Sequence, residues 1–293
     1  MKRAFLFAFI LFCLLITFFS CSNKPKRSRK PVTTITIFPQ ADNYIYGQSI
    51  DIEVETKVKD GEIEKIELFY NDSLLKKTDV NAFTIEDIKL NSTGSGRIKV
   101  IATKTDGISD SRFITVDVFS DITPKKFSYS ILKDYPHNKN FYTQGLEFYD
   151  GYLYEGTGEK GKSGIYKVDL LSGKILQQQM LSEQYFGEGI TILNNRIYQL
   201  TYRAQTGFIY DFNNFTKIDS FKFKSKEGWG LTNDGKNLIM SNGTNELIWL
   251  DTKTFSEIKK IEVANDKGFI NYLNELEYIN GQIYANVYTS DLI

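Results

Sequence analysis

The sequence predicts an all-β protein, an immunoglobulin-like β-sandwich followed by a β-propeller whose ring stops within its fourth unit. Three observations carry that prediction. Aromatic residues are dense, with 18 Tyr and 22 Phe among 293 residues, a composition that suits strands better than helices. Apolar and charged residues alternate with period two through much of 32–119, the pattern of half-buried strands. Beyond residue 140 the chain repeats itself in steps of 44, 41 and 45 residues, from Gly145 to Gly189, to Gly230 and to Glu275.

The first element is a targeting segment. Lys2 and Arg3 precede an apolar run from Ala4 to Phe19, which ends at Ser20-Cys21. A basic start, an apolar stretch and a small residue before cysteine resemble a bacterial lipoprotein signal, with an uncleaved anchor as the alternative. The resemblance implies a signal peptide over 1–20, lipid on Cys21, and a bacterial envelope location with the outer membrane favoured. Cys13 and Cys21 are the only cysteines, so after cleavage no disulfide is available and the core alone must supply stability. Residues 21–31 form a basic tether with Lys24, Lys26, Arg27, Arg29 and Lys30. Contact with anionic lipid headgroups and a plain solvated linker are both open readings.

The sandwich is expected over 32–120. Ile50, Ile52, Val54, Thr56 and Val58 alternate with charged residues, as do Ile98, Val100 and Ala102, and Ile114, Val116 and Val118. Asp60-Gly61 and Asp106-Gly107 are turn signals between such runs. About seven short strands in this length suggest an immunoglobulin-like fold. It carries no recognisable chemistry.

The propeller is expected over 126–293. Each repeat opens with a strand at the aligned Gly or Glu and turns at Asp150-Gly151, Asn194-Asn195, Asp234-Gly235 or Asn280-Gly281. A third strand ends at Asp169, Asp211 or Asp251, and a fourth follows in the first three units. Four strands per repeat at this spacing is a propeller blade. The last unit reaches Ile293 after about two strands, so an unfinished ring is expected, with 126–133 a candidate outer strand for its closure.

In a propeller the innermost strands begin together at one mouth of the axis. The residues just before the four aligned positions are Gln144, Glu188, Trp229 and Asn274. Glu188 stands between Gly187 and Gly189, which are read as leaving room for a ligand. Lys+Arg equals Asp+Glu at 36 each, so no net field draws nucleic acid. The single His137 cannot build a His-rich zinc site, and neither a phosphate loop nor a Ser/His/Asp set is credible. No metal or other cofactor is expected. What remains is acid–base work by a carboxyl group with amides and aromatics around a small polar substrate. A second reading of Glu188 is a cap for strand-end N–H groups.

Several motifs in order resemble the plant and bacterial type of glutaminyl cyclotransferase. They are Tyr135-Pro136-His137, Tyr142-Thr143-Gln144-Gly145-Leu146, Tyr154-Glu155-Gly156-Thr157-Gly158, Tyr185-Phe186-Gly187-Glu188-Gly189-Ile190-Thr191 and Glu227-Gly228-Trp229-Gly230-Leu231-Thr232. Leu273-Asn274-Glu275-Leu276-Glu277-Tyr278 and Ala285-Asn286-Val287 complete the series, which spans 129–293. The resemblance implies a five-bladed propeller that closes the N-terminal glutamine of peptides and proteins into pyroglutamate, releasing ammonia. It implies Glu188 as the proton-transferring residue, Gln144 and Asn274 as amide binders, and Phe186, Trp229, Tyr142, Tyr202 and Tyr288 as apolar walls. Tyr202 and Tyr288 stand where the family usually has Trp. The family pattern continues past Ile293 with the rest of a blade, a further blade and a Thr-Gly-Lys motif. Two other readings stay open, a catalytically inactive propeller that binds peptides or proteins at the envelope, and a purely structural envelope protein.

Overall fold

The computed structural model describes residues 28–293. The proposed signal over 1–20, the lipidation residue Cys21 and all but the end of the tether lie outside the described residues. Every regular element among the described residues is a strand. They fall into two compact units, one of residues up to 37 with 52–85 and 97–114, the other of 38–51, 86–96 and 115–293.

The first eight strands are β1 (Val32–Phe38), β2 (Tyr44–Ile45), β3 (Ser49–Lys57), β4 (Ile63–Tyr70), β5 (Ser73–Thr78), β6 (Ala82–Lys89), β7 (Gly94–Lys104) and β8 (Ser109–Phe119). They make a three-stranded sheet, β1-β3-β6, and a five-stranded sheet, β2-β8-β7-β4-β5. There is one strand more than the seven expected, because β2 is too short to show a period. The alternation sorts inside from outside as anticipated, with Ile50, Ile52, Val54, Ile98, Val100, Ala102, Val116 and Val118 all buried. Val58 falls past the end of β3 and is only half-buried. Gly61 and Gly107 take the left-handed φ their turns require, +68° and +82°. Between those turns the Lys104 ammonium is buried without being stranded, since it donates to Asp60 Oδ1 at 2.6 Å and to the Arg29 carbonyl at 3.1 Å.

From Thr143 the chain builds propeller blades. The first is β9 (Thr143–Tyr149), β10 (Tyr152–Thr157), β11 (Gly164–Val168) and β12 (Ile175–Met180). The second is β13 (Gly187–Leu193), β14 (Arg196–Thr201), β15 (Thr206–Asp211) and β16 (Lys217–Lys222). The third is β17 (Leu231–Asn233), β18 (Leu238–Ser241), β19 (Glu246–Leu250) and β20 (Glu257–Glu262). A small hairpin, β21 (Ala264–Asn265) with β22 (Gly268–Phe269), leads to the pair β23 (Leu273–Ile279) and β24 (Gln282–Val287). Each blade is an antiparallel meander in chain order. Residues 126–133, a candidate outer strand, form no strand, and Phe127, Tyr129, Ile131 and Leu132 stand exposed.

Turn chemistry explains the repeats. The innermost hairpins turn at Asp150-Gly151, Asn194-Asn195 and Asn280-Gly281, with both residues of each pair left-handed, as a two-residue hairpin of right-twisted strands demands. The third hairpin is wider, and the Asp234 carboxylate accepts the N–H groups of Lys236 and Asn237. Asp169, Asp211 and Asp251 do the same for the turn between third and fourth strands, accepting from Ser172, from Asn213 and Asn214, and from Lys253 and Thr254.

Cores lie between successive blades. Tyr154, Ile165, Ile190, Ile197, Phe208 and Phe215 fill the first interface. Leu193, Tyr198, Phe221, Leu231, Met240 and Ile248 fill the second, and Ile239, Trp249, Leu273 and Leu276 the third. The innermost strands form a circuit, β9 against β13, β13 against β17, β17 against β23, and β23 back against β9.

Candidate active site

The aligned glycines are what let the inner strands approach one another. A Cβ on Gly145 would lie 2.6 Å from the Ile190 nitrogen, one on Gly189 would lie 2.4 Å from the Leu231 nitrogen, and one on Gly230 would lie 2.0 Å from the Asn274 carbonyl oxygen. This corrects the reading of the glycines beside Glu188. The space beside Gly189 is taken by β17, and a Cβ on Gly187 would meet the Thr157 oxygen at 2.6 Å. They serve packing, not ligand access.

Register breaks aim the mouth residues. β9 slips against β10 at Thr143–Gly145, so Gln144 sits in a bulge. β13 slips against β14 between Gly187 and Ile190, which places Glu188 in a second. β23 slips against β24 between Leu273 and Leu276, which places Asn274 in a third. A bulge turns a side chain away from the direction regular pleating would give it. Trp229 precedes β17, where its N–H donates to the Ser241 carbonyl at 3.1 Å.

Gln144 and Asn274 line one cleft of about 500 Å³ together with Thr143, Glu275 and Asn286. Glu188 and Trp229 are not among the residues that line this cleft. An aromatic row runs from Tyr142 to Phe186 to Tyr202, with ring centroids 6.2 and 5.8 Å apart. A second pair, Trp229 and Tyr288, meets edge to face at 5.5 Å. The row is held by glycine again, since a Cβ on Gly158 would lie 2.5 Å from the Phe186 ring and 3.0 Å from the Gln144 side chain. Tyr142 and Tyr288 are 49% and 47% exposed, which makes them rim and not core. Phe186 is half-buried.

Glu188 is the unusual group. It is 5% exposed, yet among the described residues its carboxyl has no hydrogen-bond partner. Two other carboxyls of the inner strands behave differently. Glu147 accepts the Ile192 N–H at 2.9 Å, and Glu275 accepts the Leu146 N–H at 3.3 Å, the capping role that had also been open for Glu188. Burial, and then the negative charge of Glu227, push the Glu188 carboxyl up to about 9. At neutral pH it therefore carries its proton.

A glutamine cyclotransferase family model matches residues 105–293. The chain belongs to the glutamine cyclotransferase family. A glutaminyl-peptide cyclotransferase of Arabidopsis thaliana is 41% identical over 175 residues, 59% of this chain and 54% of that protein. The chain thus spans about half the length of this curated relative. The crystal structure of Myxococcus xanthus glutaminyl cyclase superimposes with a TM-score of 0.51 at 29% identity, covering 55% of this chain and 68% of that one. The all-β, propeller-type architecture of this cyclotransferase-family chain agrees with that likeness.

Two members of the site were not among the residues singled out from the sequence. Arg203 follows Tyr202 and donates through Nε to Glu227 Oε1 at 2.7 Å. Tyr272 precedes β23, and its carbonyl accepts the Tyr288 N–H at 2.9 Å. The latter bond repeats two others, Gly158 N–H to Tyr142 O and Tyr202 N–H to Phe186 O. That equivalence would have marked Tyr272 as the fourth-unit counterpart of Tyr142 and Phe186, because each stands two residues before its mouth residue.

Proposed function

We propose that the protein is a glutaminyl-peptide cyclotransferase, which closes the N-terminal glutamine of a peptide into pyroglutamate with release of ammonia. The observation that carries this reading is the buried Glu188, unpartnered among the described residues and held protonated, in the bulge at the start of β13 beside Glu227 and Tyr202.

The reaction is an intramolecular aminolysis. The free α-amine attacks the γ-carboxamide carbon of the same residue, the new C–N bond closes a five-membered lactam, and the carboxamide nitrogen leaves as ammonia. Attacker and target are already tethered, so the site must chiefly fold the side chain into a near-attack geometry. Gln144 and Asn274 offer amide donors and acceptors to the carboxamide and amine. Phe186, Tyr142, Tyr202, Trp229 and Tyr288 exclude water from the methylene chain. Glu188 starts protonated, gives that proton to the leaving nitrogen, and takes one from the attacking amine. One proton in and one out leaves the carboxyl as it began.

The test is ammonia release from a glutamine-initiated peptide, with an asparagine-initiated peptide as control. Release from the first alone is expected. Binding of both peptides without release would instead favour a peptide-recognition module.

We also propose, from Ser20-Cys21 and the apolar run before it, that the protein is a lipoprotein of the bacterial envelope anchored through lipid on Cys21. Residues 32–120 are proposed as an immunoglobulin-like module. The parallel pairing of β2 with the end of β8, Tyr44 opposite Val118, supports that assignment.

A further inference from the structure

The mouth holds a second carboxylate whose surroundings are opposite to those of Glu188. Glu227 lies on the approach to β17, and both its oxygens are occupied. Oε1 accepts the Arg203 Nε–H at 2.7 Å, and Oε2 accepts the Trp229 indole N–H at 3.0 Å. Arg203 extends the network, donating from Nη2 to the Tyr202 hydroxyl at 2.9 Å with its guanidinium 4.5 Å from the centre of that ring. A backbone bond from Gly228 N–H to the Tyr202 carbonyl, 2.9 Å, ties the same two segments. The end of β14 and the entrance to β17 are thereby joined, and each carries one aromatic wall.

Neither wall is otherwise pinned at its polar edge. The Trp229 ring lies on Gly243, where a Cβ would come within 2.6 Å of it, and meets Tyr288 edge to face. These contacts limit tilt, but only Glu227 receives the indole N–H. On the other side Phe186 packs against the Tyr202 ring, and the hydroxyl meets only the ion pair itself, accepting from Arg203 and facing Glu227. Burial works against ionisation of Glu227, but the bonds from Arg203 and Trp229 overcome it and hold its carboxyl below the usual range. A carboxylate with both oxygens so engaged is not free to carry protons. This removes it as a substitute for Glu188.

Resting on the cyclotransferase reading, we infer that Glu227 and Arg203 are positioning residues, an ion pair that bridges Tyr202 and Trp229 and fixes the width of the slot receiving the glutamine side chain. Exposed ion pairs contribute little to stability, and Arg203 is 68% exposed, so the role is orientation and not folding energy. The Tyr hydroxyl at position 202 is what lets Arg203 hold this wall. A Trp there could accept no bond from an arginine.

The experiment measures kcat and KM for a glutaminyl peptide in Glu227→Ala, Glu227→Gln, Arg203→Ala and the double Ala variant. Glu227→Ala is expected to raise KM about tenfold with kcat within about threefold, the split of a lost binding geometry. Glu227→Gln recovers most of the KM, because its amide oxygen still accepts the indole N–H. The double variant is no worse than Glu227→Ala alone, since the two residues act as a unit. An unchanged KM, additive losses, or a hundredfold fall in kcat at constant KM overturns the inference. A wild type that releases no ammonia refutes the cyclotransferase reading only, and the bridge is then read by fluorescence. Trp229 and Trp249 are the only tryptophans, so a Trp249→Phe background isolates Trp229. Glu227→Ala lowers its emission anisotropy and Glu227→Gln does not. Equal anisotropy in all three proteins overturns the bridge.

Discussion

Carboxyl groups of one chemical type take three roles at the starts of the inner strands. Glu188 is buried with no donor and stays protonated, Glu227 is saturated with donors and stays ionised, and Glu275 caps a strand. A proton-transfer role for Glu188 has a direct test. Glu188→Gln keeps the shape but cannot shuttle a proton, so kcat for ammonia release should fall about 10²–10⁴-fold with KM little changed. The pH profile should be bell-shaped. Its rising limb follows the substrate amine, near about 8, and its falling limb follows loss of the Glu188 proton at about 9. Only the rising limb should survive in the variant. The same shift has a thermodynamic sign. A carboxyl whose folded pKa lies above its unfolded value adds stability that is complete below pH 4.5 and is lost as pH rises toward 9. Glu188→Gln should therefore melt a few degrees higher than wild type at pH 8.5 and show no such gain near pH 4, as scanning calorimetry can read.

Strands show which features a sequence can disclose. The hairpin pairs and the Asp turns were legible because their residue types are dictated locally, by left-handed φ and by short carboxylate-to-backbone bonds. The equivalence of Gln144, Glu188, Trp229 and Asn274 at the starts of the inner strands was legible because the repeat aligns them, though only Gln144 and Asn274 line the cleft. Their bulges were not, since slipping a register changes no residue type and is decided by the partner strand. Arg203 was missed for a related reason, because its partner Glu227 lies in the next blade and is invisible to periodicity. Gly187 and Gly189 were seen but misread, because a small residue looks the same whether a ligand or a neighbouring strand fills the space. The packing role gives a prediction. Gly230→Ala puts a methyl 2.0 Å from the Asn274 oxygen, on backbone that cannot rotate aside, and should destabilise by about 2–4 kcal/mol in denaturant melts. Gly151→Asn, in open space at φ +81°, should cost less than about 1 kcal/mol by the same measurement.

At the scale of the whole molecule, the circuit of inner strands gathers acidic groups around its middle. Glu147 on β9 and Glu275 and Glu277 on β23 are each raised by burial, to about 7, 8 and 7, and the charge of Glu277 adds to the effect on the other two. At mildly acid pH these groups are neutral, and β23 can lie against β9. As the medium turns alkaline they ionise together, and like charges confront one another across that one seam. The seam between β9 and β23 thus has an alkaline ceiling of its own, separate from any titration at the mouth. Glu277→Gln should lift it, raising the melting temperature by several degrees at pH 9 and leaving it unchanged at pH 4.5. Hydrogen exchange at pH 9 should show amides of β9 and β23 opening before those of β13 and β17. The seam between β9 and β23 is then the place where alkaline medium loosens the blades first.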